Sequence, residues 1–285
     1  MAQPSLRAST FLLLVSMAFR SAAAQNGSSS TTAAGGGVEN FDVGVILDSG
    51  TPVGKTALTS LSLAVEDFYA AHPGYRTRLA LHIRDARGDD IRAMSAALDL
   101  LENENVQAII GPQKSSQAAF LSELGSRCHV PVVSFSATSP TLSHSSLPYF
   151  VRATINDSAQ VNSIASLVKF YGWREAVPIY EDTDYGRGII PYLVDALHDL
   201  NARVPYRSVI SWTATGEQIT QELYKLMTMQ TRVFIVHMSI TLASLFFTKA
   251  KEAGMMTKGY AWIMTDGLTN LIGSMSPSVL EAMDD

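Results

Sequence analysis

Short apolar runs alternate with amphipathic stretches from residue 41 onward, and that alternation restricts the fold more tightly than any motif in the chain. The first run predicts a strand over 41–47. The next stretch carries Leu58, Leu61, Val65 and Phe68 at spacings of three and four, the stripe of a helix lying on a sheet. A strand is predicted over 79–83, a second helical stripe at Ile91, Met94, Leu98 and Leu101, and a third strand over 106–110, stopped by Gly111 and Pro112. A helix over 115–126 then leads into a strand over 130–134. Strand and helix in steady succession give right-handed βαβ units and a mainly parallel, doubly wound sheet.

The pattern restarts after Val151, Arg152, Ala153 and Thr154. Val161, Ile164, Val168 and Tyr171 mark a helix, and strands are predicted over 176–180, 206–210, 232–237 and 260–264. The fold class is therefore α/β, with two lobes built on parallel sheets: lobe 1 over 38–153 and lobe 2 over 154–285. Ser276 and Pro277 have the form of an N-cap and first-turn proline for a further helix, close to the last residue. Lobe 2 is accordingly expected to be incomplete.

The first residues set the expected compartment. Arg7, the apolar run 11–19 and the small residues Ser21, Ala22, Ala23 and Ala24 have the order of a signal peptide over 1–24. Residues 25–37, rich in Gly, Ser, Thr and Ala, are expected to be a disordered lead-in. Asn26 and Asn156 each begin a glycosylation sequon, which fits a secretory route. The one cysteine, Cys128, offers no internal disulfide and is expected to be a small buried hydrophobe between a helix end and a strand. A formal charge of −5 gives no electrostatic reason to expect a nucleic-acid partner.

Catalytic patterns are weak. Gly54, Lys55 and Thr56 follow the first strand, but Ser49 stands where a phosphate-binding loop needs its leading glycine. No dinucleotide fingerprint follows that strand, and no nucleophile elbow is present. Cys128 and His129 are adjacent, a poor placement for a nucleophile and its base. The six histidines lack ligand spacing, and His82 and His237, inside expected strands, read as core or rim residues. Glu181 and Asp182 read as loop-solvating or helix-capping residues. No enzyme activity, metal or cofactor is expected.

A small-molecule site is better supported. In open α/β sheets ligands lie beyond the carboxyl ends of strands, where loops meet helix amino termini. The loop 111–116, including Ser115, leads into a helix whose free N–H groups attract a carboxylate. The loop 134–140, including Ser136, Ala137 and Thr138, offers more donors. In the second half Asp157, Tyr185 and Asp266 could receive an ammonium group through carboxylate charge and a ring face. Each also has a plainer reading, since serines before helices and Asp157 serve as caps and Tyr185 can simply pack. Together they describe a clamp for a zwitterion.

Several runs carry a family resemblance. His129-Val130-Pro131-Val132-Val133-Ser134-Phe135-Ser136-Ala137-Thr138-Ser139-Pro140, Pro148-Tyr149-Phe150-Val151-Arg152-Ala153-Thr154 and Tyr171-Gly172-Trp173-Arg174-Glu175 resemble plant glutamate receptor-like proteins. So do Pro205-Tyr206-Arg207-Ser208-Val209-Ile210 and Thr231-Arg232-Val233-Phe234-Ile235-Val236-His237. The resemblance covers most of 41–275 in order. It implies the type I periplasmic-binding-protein fold, a venus flytrap of two Rossmann-like lobes that close on a ligand. In the wider superfamily, metabotropic glutamate receptors hold an amino acid's carboxylate with residues matching Ser115, Ser136, Ala137 and Thr138. Asp157, Tyr185 and Asp266 match the residues around its ammonium. The basic residues that hold a distal carboxylate there cannot be placed here, so an amino acid is implied without implying glutamate. Family members are ligand-gated, calcium-permeable cation channels that assemble with other subunits and present this region outside the plasma membrane. The chain itself carries no pore segment, so membrane attachment would come from parts beyond it. Alternatives are an assembly module that binds no ligand, or a truncated secreted product.

Overall fold

A computed structural model describes residues 38–142 and 147–284. The expected signal peptide, the lead-in and Asn26 lie outside the described residues. The chain divides into two compact units. One takes the described residues up to Ala137 together with 147–154; the other takes 138–142 and the described residues from Ile155 on.

The first unit holds a five-stranded, wholly parallel sheet in the order β2-β1-β3-β4-β5. Its strands are β1 (Glu39–Leu47), β2 (Thr77–Asp85), β3 (Ala108–Ile110), β4 (Val132–Ser134) and β5 (Phe150–Arg152). Helices α1 (Pro52–Ala71), α2 (Asp90–Glu102) and α3 (Ser115–Cys128) connect them. Val43, Val45 and Leu47 of β1 join Ala108, Ile110 and Leu61 in one buried cluster, so one face of β1 packs toward α1. Strand β5 has no counterpart in the sequence reading.

The helical stripes need correction. On α1 only Leu61 of the expected four is fully buried, and Leu58, Val65 and Phe68 are half-buried. On α2 Ile91 is 81% exposed and Leu98 is also exposed, whereas Ala93, Ala97 and Leu100 form the buried face. Close packing decides between these stripes. Leu100 sits so near Gly44 of β1 that a Cβ there would meet its Cδ1 at 2.8 Å. Two small alanines let the helix descend to that distance, and a stripe of Ile91 and Leu98 would hold it away. Cys128 is exposed rather than buried. It is the last residue of α3, and His129 after it turns left-handed at φ 58°, so the chain leaves the sheet-facing surface there.

The second unit holds a parallel sheet in the order β7-β6-β8-β9. Its strands are β6 (Val177–Glu181), β7 (Ser208–Ile210), β8 (Val233–His237) and β9 (Ala261–Met264). Helices α4 (Val161–Phe170) and α6 (Ile190–Asp199) cover one face; α7 (Gly216–Met227), α8 (Ile240–Glu252) and α10 (Pro277–Met283) cover the other. Val233 and Ile235 point into the first layer and Phe234 and Val236 into the second. Strand β8 is apolar at every one of these positions because both of its faces are dry. Val161, Ile164 and Val168 are buried as the spacing predicts, but Tyr171 is 58% exposed because α4 ends at Phe170. Ser276 is the N-cap of α10 and Pro277 its first residue.

Gly111 follows β3 with φ +101°, and a Cβ on it would lie 2.1 Å from the Ile46 carbonyl oxygen. Gly74 has nothing within 4 Å. Gly111→Ala should therefore destabilise the chain by about 2 kcal/mol or more in urea unfolding, while Gly74→Ala should change stability little. Equal effects of the two substitutions would contradict this account of the β3 turn.

Candidate functional site

In the first unit, hydroxyls tie together the two loops expected to meet a carboxylate. Ser134 Oγ donates to the Pro112 carbonyl at 2.7 Å and accepts from the Ala137 N–H at 3.1 Å. Ser136 Oγ donates to the Gln113 carbonyl at 2.9 Å. Ser115 is buried as the first residue of α3. Lys114 Nζ donates to the Gly88 carbonyl at 2.7 Å. Ser136, Ala137 and Ser115 are thus brought to one corner, beyond the ends of β3 and β4. In this state the Ser136 O–H and the Ala137 N–H bond within the loops.

The second unit gathers the remaining predicted residues. Helix α5 (Asp184–Gly188), which carries Tyr185, follows β6, and α9 (Asp266–Thr269) follows β9. A 3-10 turn, Asp157–Gln160, precedes α4. The Thr138 carbonyl accepts from the Asp157 N–H at 2.9 Å, so Thr138 and Asp157 are directly joined. Gln160 bridges the two acids: its Nε2 donates to Asp157 Oδ1 at 3.1 Å, and its Oε1 accepts from the Asp266 N–H at 2.8 Å. Asp157 is only 4% exposed, whereas Asp266 is open to solvent.

Tyr185 and His237 form the floor of this cluster. Their rings lie 4.3 Å apart at 40°. His237, the last residue of β8, is 1% exposed; its Nδ1 is 2.9 Å from Thr265 Oγ1 and its Nε2 is 3.1 Å from the Tyr185 carbonyl. The carbonyl can only accept, so Nε2 carries the proton and Nδ1 accepts from the Thr265 hydroxyl. His237 Nε2 also lies 3.9 Å from Asp157 Oδ2. Burial drives the imidazole pKa down to about 4, with the Tyr185 carbonyl opposing it, so the ring is neutral near pH 7. The Tyr185 phenol is held far above its ordinary range, first by burial and then by the negative fields of Asp157, Glu181 and Asp266; Thr265 opposes them. Gly267 admits the phenol, because a Cβ there would lie 2.3 Å from Tyr185 Oη.

Sequence reasoning missed Gln160, His237 and Thr265 as parts of this cluster. A signal for His237 and Thr265 existed: each ends or follows a strand at the carboxyl edge of the sheet. Glu181 is buried rather than solvating a loop. It accepts the Ser239 N–H at 2.8 Å ahead of α8, which is a capping role, and Asp182 pairs with Arg187. Ser139, fully buried, donates to the Asp184 carbonyl at 2.9 Å and fixes the start of the helix that carries Tyr185.

A family model described as "Receptor family ligand binding region" matches residues 56–285. The chain belongs to this family. It is 54% identical over 232 residues to glutamate receptor 2.7 of Arabidopsis thaliana, covering 81% of the chain and 24% of that protein. Glutamate receptor 2.2 of the same plant is 48% identical over 248 residues, covering 87% of the chain and 27% of that protein. The chain thus spans about a quarter of the length of the curated relatives it matches. The fold matches a solute-binding protein of an ABC transporter from Rhodopseudomonas palustris, solved with 3,4-dihydroxybenzoic acid, at a TM-score of 0.70 and 15% identity; it covers 84% of this chain and 66% of that one. This likeness shows the periplasmic-binding-protein fold of the receptor family and nothing about the ligand here. Among the described residues no helix is long and apolar enough to cross a membrane.

The neutral state of His237 has a thermodynamic consequence. Its folded pKa of about 4 lies below the ordinary 6.5, so between these values the unfolded chain binds more protons. Stability should fall as pH drops from 6.5 toward 4, with a slope of up to about 1.4 kcal/mol per pH unit from this group. Urea unfolding at stepped pH should show that slope reduced in His237→Gln. An unchanged slope would mean that His237 titrates normally.

Proposed function

We propose that the chain is the extracellular, amino-acid-sensing region of a glutamate receptor-like, ligand-gated cation channel subunit. Membership of the receptor ligand-binding family and identity near 50% to plant glutamate receptors support this reading. In it, Ser115, Ser136, Ala137 and Thr138 receive the ligand's carboxylate, and Asp157, Tyr185 and Asp266 receive its ammonium. The observation that carries the ammonium half is the Gln160 bridge, which holds Asp157 and Asp266 beside a phenol under the field of three acids. Burial is the larger cause of the phenol's shift and the acids' field the smaller one; that field attracts an ammonium group that reaches the solvent-exposed Asp266. Other subunits would be its partners, and the leader pattern with Asn26 and Asn156 as glycan acceptors supports a secretory route.

A second reading has its own support. The Ser136 O–H and Ala137 N–H already bond within the first unit's loops, as expected of an assembly module that takes no ligand. Thermal shift of the purified chain against each of the twenty amino acids decides between the two. The sensing role predicts stabilisation by a subset, with affinity weakened about tenfold or more by Asp157→Ala or Thr138→Ala. No shift with any amino acid, together with concentration-dependent self-association, would establish the module instead.

A further inference from the structure

The second sheet has two edges, and the cluster around Tyr185 occupies only the carboxyl one. At the amino edge, beneath the first residues of β6, β8 and β9, lies an open cavity of about 620 Å³. Its size falls in the range of small-molecule sites. Val233, at this end of β8, and His237, at the other, are four residues apart, roughly 13 Å along a strand, so the cavity is separate from the ammonium cluster.

Its lining is unusual for an acidic chain. Arg174, Arg203 and Arg232 all contribute, against the single carboxylate of Glu175. Glu175 Oε1 accepts from Arg203 Nη2 at 2.7 Å. Among the described residues no carboxylate pairs with Arg174 or Arg232, which leaves two positive charges uncompensated. The aromatic walls are Trp173, stacked on Tyr171 at 4.8 Å and 20°, and Tyr260, whose ring lies 4.8 Å from the Arg232 guanidinium carbon.

The backbone beneath these side chains is fixed. The Arg203 N–H donates to the Arg174 carbonyl at 2.8 Å, and the Ala176 N–H donates to the Arg203 carbonyl at 3.0 Å. The Ala261 N–H donates to the Arg232 carbonyl at 2.9 Å. Thr231 Oγ1 donates to the Glu175 carbonyl at 3.0 Å. All three arginines therefore spring from backbone bonded to a neighbouring segment. A planar guanidinium rising from a fixed backbone is suited to bidentate capture of an oxyanion, and the flat walls are suited to a ring.

We infer that this pocket binds a flat ring bearing two negative charges on oxygen, as a phosphate monoester or a pair of carboxylates. The two uncompensated guanidiniums match the charge, and Trp173 and Tyr260 match the ring. The inference does not depend on the amino-acid site. Calorimetric titration of the whole chain with phenyl phosphate, phthalate and inorganic phosphate tests it. Saturable binding of phenyl phosphate or phthalate is expected, at least fivefold tighter than inorganic phosphate, and whichever binds more tightly identifies the preferred anion. Arg174→Ala and Arg232→Ala, both at exposed positions, should each weaken binding tenfold or more, and Glu175→Gln should tighten it. Asp157→Ala should leave it unchanged, which separates this site from the ammonium cluster. Absence of saturable binding by both ring anions, or affinities indifferent to the arginine substitutions, would overturn the proposal. Equal affinity for inorganic phosphate would overturn its aromatic half.

Discussion

Burial of a parallel sheet on both faces is the constraint from which the rest follows. Strand β8 gives Val233 and Ile235 to one helical layer and Phe234 and Val236 to the other, leaving no strand-centre position for a polar side chain. Each such side chain contributes on the order of 1.5–3 kcal/mol by leaving water, so a polar replacement there would be costly. Polar chemistry is thereby displaced to the two strand ends. The carboxyl ends of β6, β8 and β9 give way to Glu181, His237 and Thr265, and the amino ends are preceded by Glu175, Arg232 and Tyr260.

At the carboxyl edge the polar groups are buried and must be matched. A carboxylate taken out of water costs several kcal/mol unless its field is answered by donors. Gln160 answers part of it for Asp157, and the short turn that begins at Asp157 hangs from the Thr138 carbonyl. His237 does not answer it with charge, because burial keeps the ring neutral. Tyr185 and His237 are both uncharged there near pH 7.

How much of this was legible in the sequence varies by element. Every strand but β5 was plain from its apolar run. The α2 helix misled because two apolar stripes run along it, and only contact with Gly44 shows that the alanine stripe is the one that packs. The exposure of Cys128 depended on a left-handed turn one residue later. Asp157, Tyr185 and Asp266 could be named because strand-end acids and aromatics stand out. Gln160 could not, since a glutamine next to a helix start looks like surface until its two partners, 3 and 106 residues away, are known. The arginines of the amino edge were equally silent: 29 residues separate Arg174 from Arg203 and again Arg203 from Arg232, and only the sheet register brings them to one cavity.

The central claim is that the second unit's acids recognise a positively charged nitrogen. Calorimetry on matched pairs that differ only by that group, L-alanine with propionate and L-glutamate with glutarate, tests it most directly. The account predicts that at least one amino acid binds and that its deaminated partner binds about a hundredfold more weakly, or not at all, since a desolvated charge-assisted contact is lost. Equal binding of both members of a pair would show that the acids at this corner do not read the ammonium group.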